Sequence, residues 1–407
     1  MMKINKIATV IIIVLTISLC ASKLLPQSKE IDQMEIIKVV GLDYEDTKED
    51  GGKATVSFTM EKDDNSGDGE NAQKQSKTQE VMRYSARTCN EALKQMQFYT
   101  DKFVEGSHIK FFLIGEKTAR EDIDKALDEI SKDKEIRLSS HVYLVKDMNA
   151  YDFLENIISL EYELGEKLAS MEKKIEDKTI VKPLAISELL SGKLSDTGVY
   201  LIPTLQYMSD STDLEVTKEN SSEQEEKLKK QFDFYGYGIM KENKLVEFLN
   251  KDEAIIYNML INNATAGNIE IETESGKIIS FGIENITSSY DFKFSNQDTL
   301  DRIVIKMEFK SNFYEIYNED DPTKERKIDE YQKSQEKEVK KQIEKILTKT
   351  QQLNLDILNV EETLKLKHPY KYKNIKNTFK NEYKDLKFDV QVETKIERTY
   401  NVIKTHK

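Results

Sequence analysis

The sequence contains few of the residues that build disulfide scaffolds, zinc sites or repetitive chains. Its 407 residues include 2 Cys, 4 His, 5 Pro, 15 Gly and no Trp. Two cysteines cannot form a disulfide-rich scaffold or a Cys-based zinc site. The low Gly and Pro counts exclude a collagen-like or low-complexity chain.

Positive charge is also in deficit. The chain has 61 Lys+Arg against 74 Asp+Glu, a formal net charge of −13. This balance argues against a protein that binds phosphate backbones, so we expect no nucleic-acid partner. The hydrophobic content of 38% is sufficient for a folded core, and the length predicts two or three domains.

The longest apolar run lies at the very start of the sequence. Lys3 and Lys6 precede the run 7–19, which is followed by Cys20. A basic flank before a short apolar stretch is typical of a secretory signal, and the run is short for a membrane-spanning helix of about 17–25 residues. The segment Ile-Ser-Leu-Cys is similar to a bacterial lipoprotein box, although Leu19 stands where such boxes have Gly or Ala. Two alternatives remain open: Cys20 is the lipidated mature N-terminus, or residues 1–22 stay as an uncleaved anchor.

The first half alternates between strand and helix patterns. Short apolar or alternating runs predict strands, and apolar residues at helical spacing predict the segments between them. The strands are expected at 36–42, 54–60, 109–114, 142–145 and 199–205 (the last broken by Pro203), and the helices at 90–102, 120–130, 150–158, 160–171 and 184–190. Thr88 to Glu91 reads as a capping box at the start of the first helix, with Cys89 as a structural thiol.

Composition changes sharply at 209–230, a polar stretch with little to bury. We therefore predict a domain at 30–208, open to further division near 146–150, a linker at 209–230 and a second domain at 231–400. The second domain is expected to hold strands at 235–240, 244–249, 269–272, 278–286, 290–294, 303–309 and 386–396, a short helix at 253–261 and a long amphipathic helix at 327–353. The predicted fold is α+β and multi-domain, with a mixed βα N-terminal region and a strand-rich C-terminal domain that carries one long amphipathic helix.

No catalytic or metal-binding constellation can be recognised in the sequence. The four histidines are scattered and form no pair at helical spacing: His108, His141, His368 and His406. Neither a phosphate-binding glycine loop nor a nucleophile elbow is present. The acidic segment 63–78 lacks the Glu that a calcium loop requires, because Gln75 stands there, and is interpreted as a solvated loop. We expect no cofactor and no metal.

One basic, aromatic segment stands out at 365–373, with the sequence KLKHPYKYK. We interpret it as a surface loop. Contact with anionic lipid headgroups or with an acidic partner is the alternative.

Several segments, taken in order, resemble the Ger(x)C family, the C-subunit lipoproteins of spore germinant receptors in relatives of Bacillus and Clostridium. Residues 39–43 (VVGLD) look like the family's strand that ends in Gly-Ile-Asp. Residues 108–110 (HIK) and 113–116 (LIGE) are similar to its His-x-Lys strand and its "IGE" turn, and residues 133–137 (DKEIR) to its "RDxEIR" element.

The resemblance continues in the second half. Residues 238–253 look like the family's hairpin and the acidic residue that follows it, here Glu253. Gln352, Asp356 and Pro369 fall where the family has a Gln…Asp…Pro series, and residues 395–399 resemble its closing strand. The sequence departs from the family pattern in lacking a Trp after Cys20, and in having Glu247 and Tyr400 where Gly is usual.

This resemblance implies a non-enzymatic receptor subunit needed for nutrient-triggered spore germination. It implies anchoring through a lipid on Cys20, a position on the outer face of the spore inner membrane, and partnership with the receptor's A and B membrane subunits. The alternative function is an extracellular solute-binding lipoprotein. That class usually has two doubly wound lobes, which a strand-rich second half disfavours. A cell-wall hydrolase has no support from any motif.

Overall fold

The computed structural model describes Thr16 and residues 34–46, 52–61, 79–100, 102–158, 164–176, 180–208, 231–272, 276, 278–296, 299–316 and 325–397. Four sequence predictions lie outside these residues. They are the signal segment with Cys20 (apart from Thr16), the acidic loop 63–78, the linker 209–230 and His406.

The described residues up to Asn250 form one large sheet and a small two-stranded sheet. The strands are β1 Met34–Ile36, β2 Val39–Glu45, β3 Lys53–Glu61, β4 Gln79–Ala86, β5 Phe103–Glu105, β6 Phe111–Gly115, β7 His141–Lys146, β8 Val199–Met208, β9 Gln231–Lys241 and β10 Lys244–Asn250. Eight of them form a sheet in the order β10-β9-β8-β7-β6-β2-β3-β4, and β1 pairs with β5. The central strands β2, β6, β7 and β8 are parallel, and the outer pairings are antiparallel.

Helices cover both faces of this sheet. They are α1 Cys89–Met96, α2 Glu116–Asp122, α3 Asp124–Lys132, α4 Ala150–Ile157, α5 Leu164–Glu176 and α6 Ile186–Lys193. Since side chains alternate along a strand, Phe111 and Leu113 enter one apolar core while Phe112 and Ile114 enter the other. The apolar run of β6 is thus explained by burial on both faces. The one helix predicted at 120–130 is two helices, α2 and α3.

The remaining chain forms a second sheet with one long helix. Its elements are α7 Lys251–Leu260, β11 Ala266–Glu272, β12 Ile278–Asn296, β13 Thr299–Ile316, α8 Glu325–Leu353, α9 Val360–Lys367, α10 Pro369–Glu382 and β14 Phe388–Ile396. The strand order is β11-β12-β13-β14, and only β13 and β14 are parallel. The long amphipathic helix buries Val339, Ile343 and Ile346 completely. The predicted α+β fold is confirmed.

The two sheets share an apolar core. Strands β9 and β10 follow the 209–230 segment in sequence, yet they complete the eight-stranded sheet by pairing with β8. Helix α7 leads directly from β10, and its buried residues belong to the same cluster as one face of the first sheet and the interior of the second. The domain boundary at 209–230 stays a prediction, but the hydrogen-bonded first sheet extends as far as Asn250.

Two local predictions are wrong. The segment 365–373 is helical, since α9 ends at Lys367 and α10 begins at Pro369, where a proline is well placed because the first turn needs no backbone donor. Strand β8 is continuous through Pro203. Its parallel pairing with β7 begins at Thr204, one residue later, which accommodates the missing N–H of the proline.

Candidate functional site

His141, His368 and the described cysteine occupy structural positions, whereas His108 is exposed in the short turn Gly106–His108 before β6. His141 Nδ1 lies 2.6 Å from Glu172 Oε1, which also accepts a hydrogen bond from the buried Tyr143 hydroxyl at 2.5 Å. His368 packs edge-on against Phe292 and Phe294, and Cys89 is buried at the start of α1. Within the part of the chain that the structure describes, no group of three or more His, Cys, Asp or Glu is placed to hold a metal ion.

Asp43 is a buried carboxylate at the C-terminal ends of the parallel strands. Its two oxygens accept hydrogen bonds from the backbone N–H groups of Ala150 (2.8 Å) and Tyr151 (2.9 Å), the first residues of α4. Burial raises the pKa of Asp43 to about 6, although the two backbone hydrogen bonds oppose the rise. Asp43 therefore caps a helix more than a hundred residues away along the chain.

Gly115 and Glu116 also belong to this contact between the end of β2 and the start of α4, which we call the N-terminal joint. A Cβ atom on Gly115 would lie 2.3 Å from Asp43 Oδ1 and 3.0 Å from Asn149 Cα, so only glycine leaves room for the carboxylate. Glu116 accepts a hydrogen bond from the backbone N–H of Asp147 (2.7 Å), a residue held at φ 62°. The Gly-Leu-Asp and Ile-Gly-Glu segments of the sequence thus meet in one place and fix the β7–α4 turn.

Asp356 forms a second joint of the same kind in the C-terminal half. Its carboxylate accepts hydrogen bonds from Val360 N (3.0 Å) and Glu361 N (2.8 Å) at the start of α9. Burial raises its pKa to about 6, although the backbone hydrogen bonds from Glu361 and Val360 oppose the rise. The neighbouring Glu361 is itself buried and accepts a hydrogen bond from the Tyr372 hydroxyl (2.7 Å). The aspartate of the Gln…Asp…Pro series is therefore also a helix cap.

Glu253 joins the two halves of the chain. It lies in α7 and is 6% exposed. Lys349 of α8 donates to it at 2.9 Å and also to the Phe248 carbonyl of β10 at 2.6 Å, and Lys345 lies 3.4 Å away. Burial pulls the pKa of Glu253 upward, but the hydrogen bond from Lys349 and that from the Asn250 backbone outweigh it and the pKa is lowered.

A cavity of about 630 Å³ opens between α7 and the sheet β11–β13. Apolar side chains such as Ile255, Ile283 and Phe313 line it, together with Lys251 and Glu284. Both charged groups already have partners, because Lys251 pairs with Asp233 (2.9 Å) and Glu284 accepts from Asn312 (3.1 Å). Neither charged side chain that lines the cavity is therefore free to bind a polar ligand without giving up its present partner.

Large exposed apolar side chains gather at two places. Near the first described strand lie four that we call the aromatic surface: Ile36 (44% exposed), Phe98 (82%), Tyr99 (68%) and Phe103 (46%). At the α9–α10 corner, Leu366 and Tyr370 are exposed among lysines. Three of those lysines are engaged within the protein: Lys365 with Asp196, Lys367 with the Tyr290 carbonyl and Lys371 over the Phe294 ring.

Membrane attachment concerns residues that the structure mostly leaves undescribed. None of the described helices is both long enough and apolar enough to cross a bilayer. Cys20, the predicted lipidation site, lies outside the described residues, so its role stays a prediction.

Sequence reasoning located the family-like segments but not what they do. Asp43, Glu253 and Asp356 were singled out by resemblance alone, and only the folded chain brings Asp43 to α4, Glu253 to Lys349 and Asp356 to α9. Asp356 could have been identified as a cap only if a helix had been predicted at Val360–Lys367, where the sequence pattern predicts none. Nothing local could have indicated Asp43, because its partners are 107 and 108 residues away.

Comparison with known proteins gives two family matches that divide the chain. Residues 27–207 match the model described as "Spore germination protein N-terminal domain". Residues 235–400 match the model described as "Spore germination B3/ GerAC like, C-terminal". The gap between the two matches coincides with the polar segment 209–230.

A solved structure shares the fold over nearly the whole chain. The crystal structure of the GerBC protein aligns with a TM-score of 0.54 and 19% sequence identity, covering 88% of this chain and 97% of the other. No functionally curated protein matches the sequence significantly.

Proposed function

The chain belongs to the GerAC-like family of spore germination proteins, and on that basis we propose that it is the non-catalytic C subunit of a spore germinant receptor. The observation that carries the proposal is the paired match: both family domains occur in order, and together they leave only the ends and the polar linker unmatched. The full-length likeness to the fold of GerBC supports it.

A non-catalytic role is consistent with the use of the buried charged groups. Asp43, Asp356 and Glu253 each bind backbone amides or lysine ammonium groups within the protein. A catalytic carboxylate would instead have to reach a bound substrate. We propose that these residues maintain the shape of the subunit and that its function lies in contacts with other molecules.

We propose that the subunit is anchored at the outer face of the spore inner membrane and acts with the A and B membrane subunits. The apolar run before Cys20 supports attachment, through either a lipid on Cys20 or a retained anchor.

Deletion of the gene in its host tests the function. We expect spores without the chain to lose their response to at least one nutrient, and re-expression of the full chain to restore it. Unchanged germination in every nutrient, in a strain that also lacks any paralogous receptor, would contradict the proposal.

Intact-mass analysis tests the anchor. The membrane-extracted protein should begin at a diacylated Cys20, and a Cys20→Ser variant should keep residues 1–19. Recovery of the wild-type chain with residues 1–19 attached would contradict lipidation of Cys20 and would indicate that the apolar segment is retained as the anchor.

The solute-binding alternative gains no support from the fold. Its two doubly wound lobes would each need a parallel sheet, whereas β11, β12 and β13 are antiparallel. The core is also continuous between the halves instead of hinged.

A further inference from the structure

The aromatic surface lies where the N-terminal segment enters the folded body. Ile36 belongs to β1, the first described strand, and Phe103 to β5, its parallel partner. The register pairs Glu35 with Val104, so Ile36 and Phe103 lie on the opposite face of the pair from these two. The face that carries Glu35 and Val104 is directed inward, since Glu35 is 7% exposed and Val104 packs against the core. Ile36 and Phe103 therefore face outward.

Phe98 and Tyr99 are held beside this strand pair by a closed turn. The Gln97 side chain and the Thr100 hydroxyl both donate to the Lys102 carbonyl, at 3.4 and 2.8 Å. The turn therefore returns the chain directly into β5. Tyr99 stacks on Tyr84 of β4 at a centroid separation of 5.7 Å, which fixes its orientation, yet it remains 68% exposed.

The chain before β1 points to one occupant for this surface. Residues 20–33 can extend to at most about 50 Å, at about 3.3–3.6 Å per residue, between the end of the apolar run and Met34. If the apolar run or a lipid on Cys20 lies in a bilayer, β1 is the part of the folded body tethered nearest to that bilayer.

The residue types fit a membrane interface. Exposed aromatic rings are favoured at the boundary between headgroups and acyl chains. Amphipathic helices that lie at this boundary bury their apolar faces about 5–10 Å deep. The α9–α10 corner is less suited, because Lys365, Lys367 and Lys371 are used within the protein.

We propose that Ile36, Phe98, Tyr99 and Phe103 form a membrane-docking surface that seats the subunit on the lipid bilayer beside its own anchor. The inference rests on the proposed anchoring and adds an orientation to it. The anchor supplies the attachment, and the aromatic surface determines which side of the protein faces the lipid.

The absence of Trp from the chain permits a direct test, because each single Trp substitution is an isolated fluorescent probe. Phe98→Trp and Tyr99→Trp report on the proposed surface. Tyr370→Trp (90% exposed) reports on the competing α9–α10 corner, and Ile278→Trp (56% exposed) on the start of β12 in the second sheet. Each full-length variant is extracted from membranes, reconstituted into lipid vesicles and titrated with lipids brominated at different acyl depths.

We expect Phe98→Trp and Tyr99→Trp to shift to shorter emission wavelengths and to be quenched most by shallow bromines. Tyr370→Trp and Ile278→Trp should keep aqueous emission. Vesicle-bound protein with unquenched probes at 98 and 99, or with stronger quenching at 370 or 278, would overturn the docking surface while leaving the anchor intact. Protein that does not remain with the vesicles would overturn both.

Discussion

The two halves of the chain each bury one aspartate against the start of a helix, but they do so in different surroundings. Asp43 and Asp356 are both 6% exposed, and both have a pKa raised to about 6 by burial. Asp43 receives two backbone hydrogen bonds beside a glycine that leaves space for it. Asp356 also receives two, both in fully buried surroundings, and lies next to a second buried carboxylate, Glu361.

The difference indicates that the same cap serves two purposes. In the N-terminal half, it fixes a β–α turn at the end of a parallel strand. In the C-terminal half, it fixes the chain between α8 and α9 among the buried tyrosines Tyr257, Tyr290 and Tyr383, whose pKa values are all raised mainly by burial. We therefore expect the C-terminal joint to be the more sensitive one.

The largest expected effect is the loss of stability when each of the two carboxylates is removed, and this loss should differ between the joints. Asp356→Ala leaves two fully buried amides without an acceptor and should cost about 4 kcal/mol in the free energy of unfolding, while Asp43→Ala leaves one buried and one partly buried amide and should cost about 3 kcal/mol. Urea denaturation measures both, and Asp301→Ala, at a partly exposed position near the start of β13, is the control with little expected effect. Equal losses, or a larger loss at Asp43, would contradict the ranking.

These joints mark the limit of prediction from the sequence. An alternating pattern was sufficient for β3, a continuous apolar run for β6 and helical spacing for α8, because burial on a sheet or helix face leaves a local pattern. The strands β4 and β5 were missed, since Gln79–Ala86 is largely polar and Phe103–Glu105 is only three residues long. The contacts of Asp43 and Glu253 depend on tertiary structure and leave no local pattern.

The link between the halves should be nearly as sensitive as the caps. Lys349→Met removes the main partner of buried Glu253 and should cost about 3 kcal/mol, because a buried charge loses its ion pair. Adding Glu253→Gln should recover part of the loss, and a double-mutant cycle measures the coupling. Lys341→Met on the exposed side of α8 is the matched control; a loss there as large as at Lys349 would argue against a specific link.

The glycine beside Asp43 allows the N-terminal joint to be tested without removing the carboxylate. Gly115→Ala should cost about 2 kcal/mol, because the new Cβ displaces Asp43 from the amides of α4. Gly106→Ala is the control, since its Cβ would have 3.7 Å to the nearest atom. A Gly115→Ala variant as stable as wild type would show that the carboxylate does not need its observed position.

Acidification should increase the stability of the protein through both aspartates, by less than the substitutions above change it. A folded-state pKa above the usual aspartate value means that stability is lost as pH rises through about 6 and regained as pH falls. From pH 7 to pH 5 each group should add about 1 kcal/mol. The urea midpoint should therefore rise from pH 7 to pH 5, and Asp43→Asn and Asp356→Asn should each remove about half of this rise. Glu253, with its lowered pKa, acts in the opposite sense and should lose its contribution only at more acidic pH.

The central claim is that these family-pattern residues stabilise a non-catalytic receptor subunit and carry no chemistry of their own. The most direct measurement is the germination rate of spores that carry Asp43→Asn or Asp356→Asn, plotted against the amount of folded subunit in the same spore membranes. The account predicts that germination follows the amount of folded protein and equals wild type when that amount does. A variant that is fully folded and abundant, yet fails to support germination, would contradict it.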